Sequence, residues 1–322
     1  MSDTVLEVNG LVTEFHSRQG VLRAVNEVSF SLSCGEVLGL VGESGSGKSV
    51  TGYSIMGLVD APGRVASGSV RYAGRELVGL CEAGLRALRG NRIAMIFQDP
   101  MMTLNPVLRI DTQIIETVRA HRRVTRDDAR QRALRALEQV GIPAPQERLQ
   151  AYPHQLSGGM RQRVAIAIAL LHEPDVIIAD EPTTALDVTI QAQIISEVQT
   201  LARERGTALI WITHDLTVVA GLADRVAVMY AGRIVEQGPV DELLDRPRHP
   251  YTAGLIASLP SSNADRRRLA QIPGMTPSLG QLPTGCTFRT RCLHADDACT
   301  RNPPLSQPEP ERWLRCFHPM GV

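Results

Sequence analysis

VLGLVGESGSGKSVTGYSIMGL, residues 37–58, decides how this chain folds. Its first five residues, Val37–Val41, are a continuous apolar run of the kind that suits a strand buried on both faces. Gly42–Ser49 fits GxxxxGK[ST], and a helical pattern follows from Ser49 to Leu58. Glycines let successive backbone N–H groups turn inward around phosphate oxygens, and the start of the next helix adds positive potential. Lys48 is then the candidate for the β- and γ-phosphates and the Ser49 hydroxyl for Mg²⁺, with Gly42, Glu43, Ser44, Gly45, Ser46 and Gly47 completing the cradle. Composition isolates the same residue: of 34 basic residues, 33 are arginine and Lys48 is the one lysine. A compact ammonium on a flexible stem fits a narrow loop that a broad planar fork does not.

Similar apolar runs recur at Ile93–Phe97, Val176–Ala179 and Ala208–Thr213, while Val5–Val8 and Val25–Ser33 alternate like half-buried antiparallel strands. Helical spacing fills the interval between Ile93–Phe97 and Val176–Ala179, at Thr112–Ala120, Asp127–Val140 and Met160–Leu171. The expectation is an α/β chain with a mainly parallel sheet, an N-terminal antiparallel β subdomain and a helical subdomain inserted at about 99–172. Beyond Leu244 the texture turns proline-rich and loop-like, so a boundary is expected near Asp245, dividing 1–245 from 246–322. The 322 residues carry 34 basic and 34 acidic side chains, a balance that gives no electrostatic case for nucleic acid. No apolar run reaches the ~18 to 20 residues a bilayer span needs, and MSDTVLEV does not read as a secretory signal.

Polar residues stand directly beyond three of the apolar runs: Gln98, the pair Asp180–Glu181, and His214. Ligands bind at the C-terminal edge of open α/β sheets, so these residues and the phosphate loop are expected on one rim. Chemistry then assigns roles. Asp180, with Ser49 and Gln98, suits Mg²⁺; Glu181 suits the general base for an attacking water; His214 suits the γ-phosphate. The NKxD motif of GTP-binding chains is absent, so ATP is the expected nucleotide.

Leu156–Met160, LSGGM, opens a long helix on a serine and two glycines, a second phosphate cradle in one chain. A single loop needs only one, so Ser157, Gly158 and Gly159 are expected to serve a nucleotide held by another subunit. Over residues ~5 to ~240 the chain resembles the ATP-binding-cassette ATPases, motifs in the family's order. The resemblance rests on the Walker A loop Gly42–Ser49, Gln98, the signature Leu156–Gly159, Walker B ending in Asp180–Glu181, the D-loop Ala185–Leu186–Asp187 and the switch His214. It implies a RecA-like P-loop fold and points to Phe15 as the aromatic on adenine. The signature departs from the family in having Met160 where glutamine is usual.

HPYTAGLIASLP, residues 249–260, with FQDPMMTLNP and DEPTTALDVTIQAQI, narrows the resemblance to the peptide-importer branch, oligopeptide and dipeptide permease ATP-binding subunits of the D type. That branch implies ATP hydrolysis powering peptide uptake, a second homologous ATPase subunit in a heterodimer, two membrane permease subunits and an extracytoplasmic binding protein. It also implies a peripheral place on the cytoplasmic face of the membrane. A nickel or other small-solute importer is the alternative, and a soluble cassette ATPase a more distant one.

Cys286, Cys292, Cys299 and Cys316 follow C-x5-C-x6-C-x16-C in a tail with little apolar periodicity to build a core. In a reducing compartment this favours a metal over disulfides, and cysteine ligation fits zinc or an iron–sulfur cluster. The resemblance to peptide importers implies [4Fe–4S]. His294 and His318 read as loop residues rather than ligands.

Overall fold

A computed structural model describes residues 4–18, 20–183, 188–259 and 271–321. The chain opens on strands β1 (Thr4–Ser17), β2 (Gly20–Ser33) and β3 (Val37–Val41), helix α1 (Lys48–Met56), and strands β4 (Gly63–Tyr72) and β5 (Arg75–Glu76). After α2 (Glu82–Leu88) and β6 (Ile93–Ile96) come α3 (Ile110–His121), α4 (Arg126–Gln139), α5 (Pro145–Arg148) and α6 (Gly158–Leu170). Then follow β7 (Val176–Asp180), α7 (Val188–Arg205), β8 (Ala208–Thr213), α8 (Leu216–Leu222), β9 (Arg225–Tyr230) and β10 (Arg233–Pro239). The last elements are α9 (Val240–Asp245), α10 (Pro250–Ala257), β11 (Ser306–Glu309) and β12 (Arg312–Leu314). The described residues divide into two compact units, one of 4–6, 32–36 and 72–211, the other of 7–31, 37–71 and 212–321.

In the first unit β6 and β7 run parallel, in register from Ile93↔Val176 to Ile96↔Ala179. Every residue of both strands is buried, which is why each reads as an unbroken apolar run rather than an alternation. All elements between them are helical. Ile115 and Val118 of α3 pack on Ala129 of α4, with Val124 and Leu171 at the margin. α6 buries Val164–Ala167 through small and branched side chains. The buried Gln113 of α3 ties down the loop ahead of it: its amide nitrogen donates to Asn105 O (3.0 Å) and Leu108 O (2.9 Å), while its oxygen accepts the Asn105 N–H (2.8 Å).

In the second unit β9 pairs parallel with β3, Leu38↔Arg225 to Val41↔Val228, and antiparallel with β10. β12 lies antiparallel on the other edge of β10, Glu236↔Leu314, and β11 pairs with β12. β1 sits between β2 and β4 in a separate sheet. The sequence reading assigned no strand to β10 or β12, and the reason lies in their chemistry. Glu236 of β10 and Arg312 of β12 are only 1% exposed, and Arg312 Nη2 meets Glu236 Oε1 at 2.6 Å. Glu236 also accepts the N–H groups of Arg248 (2.8 Å) and His249 (2.9 Å), and Arg312 donates to Arg246 O (2.9 Å). Each buried charge thus has its partners, the condition on which such burial is tolerated. A strand built around a charged pair looks like surface in one dimension.

The tail therefore needs no separate apolar core. It contributes Phe288 to an aromatic group with Tyr230 and Tyr251, ring centroids 4.7–5.4 Å apart. His249 is 1% exposed beside that group and accepts the Tyr251 N–H on Nδ1 (3.0 Å). Burial pushes its pKa down to about 3, so it stays neutral in the fold. The unfolded chain binds a proton near pH 6.5 that the folded chain refuses until about pH 3, so stability falls as pH drops through that window. His249→Asn keeps an acceptor for the Tyr251 N–H but does not titrate. Its thermal midpoint should decline less than the wild type's between pH 7 and pH 5; parallel declines would remove His249 as the cause.

Candidate active site

The phosphate loop is built within the second unit. β3 ends at Val41, and α1 begins at Lys48 with Gly47 as its N-cap at φ 101°. A Cβ on Gly47 would lie 2.2 Å from Ala24 O, and one on Gly42 (φ 154°) 2.2 Å from Met229 O. Backbone packing alone thus demands glycine at both ends of the loop. Lys48 is buried, its Nζ donating to Gly42 O (2.8 Å) and Glu43 O (3.0 Å), so the ammonium is held over the loop it closes. Ser49 is half-buried in the first turn of α1, and Ser44 and Gly45 are exposed at the loop tip. A glycine-walled loop with a buried ammonium at the head of a helix fits a nucleotide's phosphates. Phe15, half-buried in β1, packs so closely on Gly63 that a Cβ there would come 2.5 Å from its ring. In the same unit His214 is exposed directly after β8, and Asp215 caps α8 by accepting the Thr217 N–H (2.8 Å).

The first unit brings two of the expected residues together. Ile96 and Ala179 are register partners, so Gln98 and Glu181, each two residues further on, emerge side by side. Gln98 Nε2 donates to Glu181 Oε2 at 3.2 Å. Asp180, the last residue of β7, is 1% exposed, whereas Gln98 is exposed. Glu181 has φ 45°, a left-handed backbone uncommon for a side chain with a Cβ and one that functional turns retain. A buried aspartate, a carboxylate and an amide at one strand edge make a donor set suited to Mg²⁺ and to an attacking water. α6 starts at Gly158 with Ser157 as N-cap, its hydroxyl accepting the Met160 N–H (3.3 Å). Ser157 is exposed, and a Cβ on Gly158 would meet nothing within 4 Å, so this helix start is open to a ligand from outside. Ala185, Leu186 and Asp187 lie outside the described residues.

The iron–sulfur expectation is corrected. Among the described residues, the group of three or more His, Cys, Asp and Glu side chains whose ligand atoms come within 4.8 Å of one another is Asp296, Cys299 and His318, not the four cysteines. Burial pushes the Cys286 and Cys292 thiols up and that of Cys316 to about 11. His318, expected as a loop residue rather than a ligand, places Nε2 2.9 Å from Asp296 Oδ1.

Strand, glycine-rich loop and helix, together with an acid pair at the end of another buried apolar strand, define a P-loop ATPase. Comparison with known proteins carries this further. The family described as ABC transporter matches residues 25–184, and that described as oligopeptide/dipeptide transporter, C-terminal region, matches residues 235–299. The oligopeptide transport ATP-binding protein OppD of Escherichia coli strain K12 is 48% identical over 319 residues, covering 99% of this chain and 94% of that protein. The dipeptide transport ATP-binding protein DppD of the same strain is 47% identical over 317 residues, covering 98% of this chain and 97% of that protein. The dimeric post-hydrolysis structure of the ATP-binding cassette MJ0796, bound to ADP and Pi, superposes with a TM-score of 0.67 at 26% identity over 73% of this chain and 98% of that one. The chain belongs to the ABC transporter ATPase family, with the oligopeptide/dipeptide C-terminal region. Such an ATPase uses ATP and Mg²⁺, works as a dimer and serves a membrane permease. Neither OppD nor DppD carries an iron–sulfur centre in its name. None of the described helices is long and apolar enough to cross a membrane.

Proposed function

We propose that this chain is the ATP-hydrolysing subunit of a multi-subunit importer of dipeptides or oligopeptides. The carrying observation is that likeness to OppD and DppD runs through both the cassette and the C-terminal region, over 98% or more of the chain. On this reading 1–245 is the nucleotide-binding domain, with a helical subdomain at about 99–172, and 246–322 is the importer-type extension. Its place is peripheral, on the cytoplasmic face of the membrane. Its partners are a homologous ATPase subunit, two permease subunits and, indirectly, an extracytoplasmic binding protein.

Gly42–Ser49 holds the phosphates, Lys48 countering their charge, and Phe15 lies against adenine. Ser49, Gln98 and Asp180 hold Mg²⁺, which supplies charge neutralisation on the phosphates. Glu181 accepts the proton of the attacking water, Gln98 orienting that carboxylate by its amide, and His214 contacts the γ-phosphate. Ser157, Gly158 and Gly159 face the nucleotide of the partner ATPase subunit.

The test is uptake of labelled dipeptides, oligopeptides and nickel in a strain lacking this chain, restored by its gene. Restored peptide uptake supports the reading; restored nickel uptake alone replaces the cargo, and no transport change favours a soluble ATPase. Lys48→Arg keeps the charge but overfills the loop, and should weaken ATP binding at least tenfold by titration calorimetry; unchanged affinity would remove Lys48 from the phosphate site.

A further inference from the structure

Glu43, the second residue of the phosphate loop, is gripped by the far end of the chain. Arg291 Nη1 and Nη2 reach its Oε2 and Oε1 at 2.7 and 3.0 Å, a two-pronged fork across 248 residues of sequence. The Thr276 hydroxyl donates to the same carboxylate, and the Glu43 N–H donates to the Tyr251 hydroxyl oxygen at 2.9 Å. Arg291 is itself fixed: its side chain is 5% exposed, its Nε donates to Pro273 O (2.8 Å), and its guanidinium lies 5.8 and 5.9 Å from the ring centres of Tyr230 and Phe288. On its other side, Glu43 offers its carbonyl to Lys48 Nζ (3.0 Å). One residue thus joins the loop lysine to the C-terminal extension. All of these groups belong to the second unit.

The phosphate-loop pattern leaves this position free, and a carboxylate there is electrostatically the wrong group. A negative charge within the loop repels an incoming triphosphate unless a cation answers it. Burial pushes the Glu43 carboxyl up, but the hydrogen bonds from Arg291 and Thr276 outweigh that and hold it below the usual carboxylate range, so the charge is present and needs an answer.

We propose that Arg291, with Tyr251 and Thr276, is a positioning clamp through which the C-terminal extension neutralises and orients Glu43 and thereby sets the affinity of the loop for ATP. The proposal rests on the reading of Gly42–Ser49 as the ATP site. Arg291 is a positioning residue, acting on nucleotide through Glu43. Linkage makes the coupling reciprocal, so bound ATP stabilises the clamp.

The experiment titrates MgATP into the purified full-length chain and its variants, with thermal midpoints taken alongside. Arg291→Gln should raise the ATP Kd about tenfold or more, the size expected when a cation beside a part-buried carboxylate is lost, and should raise the ADP Kd less. Adding Glu43→Gln to Arg291→Gln removes the unanswered charge, so affinity should return to within about threefold of wild type. A merely structural role for Arg291 would give no such rescue. Arg291→Lys and Thr276→Val, milder changes to the same contact, carry the test if Arg291→Gln does not fold, each predicting a smaller rise. Lys48→Ala separates the two readings. If Lys48→Ala binds ATP like wild type, the loop is not the ATP site. If it loses ATP while the Arg291 and Thr276 variants bind normally, or if the Glu43→Gln addition gives no rescue, the clamp is overturned and the ATP site stands.

Discussion

Glu181→Gln should lower the rate of ATP hydrolysis by about a hundredfold or more while ATP affinity stays within twofold of wild type. Removing a general base costs typically 10²- to 10⁴-fold, and the change keeps the size and hydrogen-bonding reach of the side chain. Gln98 Nε2 already sits 3.2 Å from Glu181 Oε2, and a glutamine at 181 still presents an oxygen to it. The backbone at φ 45° is equally uncomfortable for both residues, so the comparison isolates the proton acceptor. Binding by calorimetry and turnover by phosphate release on the reconstituted complex separate the two effects. Turnover near the wild-type rate would take the base assignment away from Glu181.

The second large effect concerns stability rather than turnover. Arg312→Leu leaves Glu236, 1% exposed, with two backbone N–H donors but no countercharge. Breaking a buried pair on one side costs about 3–5 kcal/mol, which should appear as a lowered midpoint in denaturant at unchanged secondary structure before the transition. Glu236→Gln combined with Arg312→Met removes both charges together and should lose less than Arg312→Leu alone. If the single variant costs under about 1 kcal/mol, the pair contributes nothing net.

Legibility in the sequence follows from what each residue faces. β3, β6, β7 and β8 were visible as apolar runs because neither face of such a strand meets water, and the phosphate loop because glycine and lysine there have no substitutes. The nearness of Gln98 and Glu181 was also foreseeable, since polar residues at equal distance past two parallel strands share an edge. β10 and β12 were hidden because their burial is carried by a charge pair, and apolar pattern counts a charge as surface. The four cysteines misled because spacing says nothing of where sulfurs point. The grip of Arg291 on Glu43 spans too much sequence to be seen as a motif. Its one trace was an acidic residue placed where a phosphate loop has no use for one.

β12 has a consequence for how the chain is made. It occupies residues 312–314 of 322, yet it covers an edge of β10, a strand synthesised some seventy residues earlier. Until residues 312–314 have been made, β10 exposes unpaired backbone groups and Glu236 lacks its countercharge. Open edges of this kind recruit other strands, and incomplete sheets on nascent chains are where aggregation starts. A chain cut short ahead of residue 312 thus keeps every catalytic motif named above and has an unsealed sheet edge.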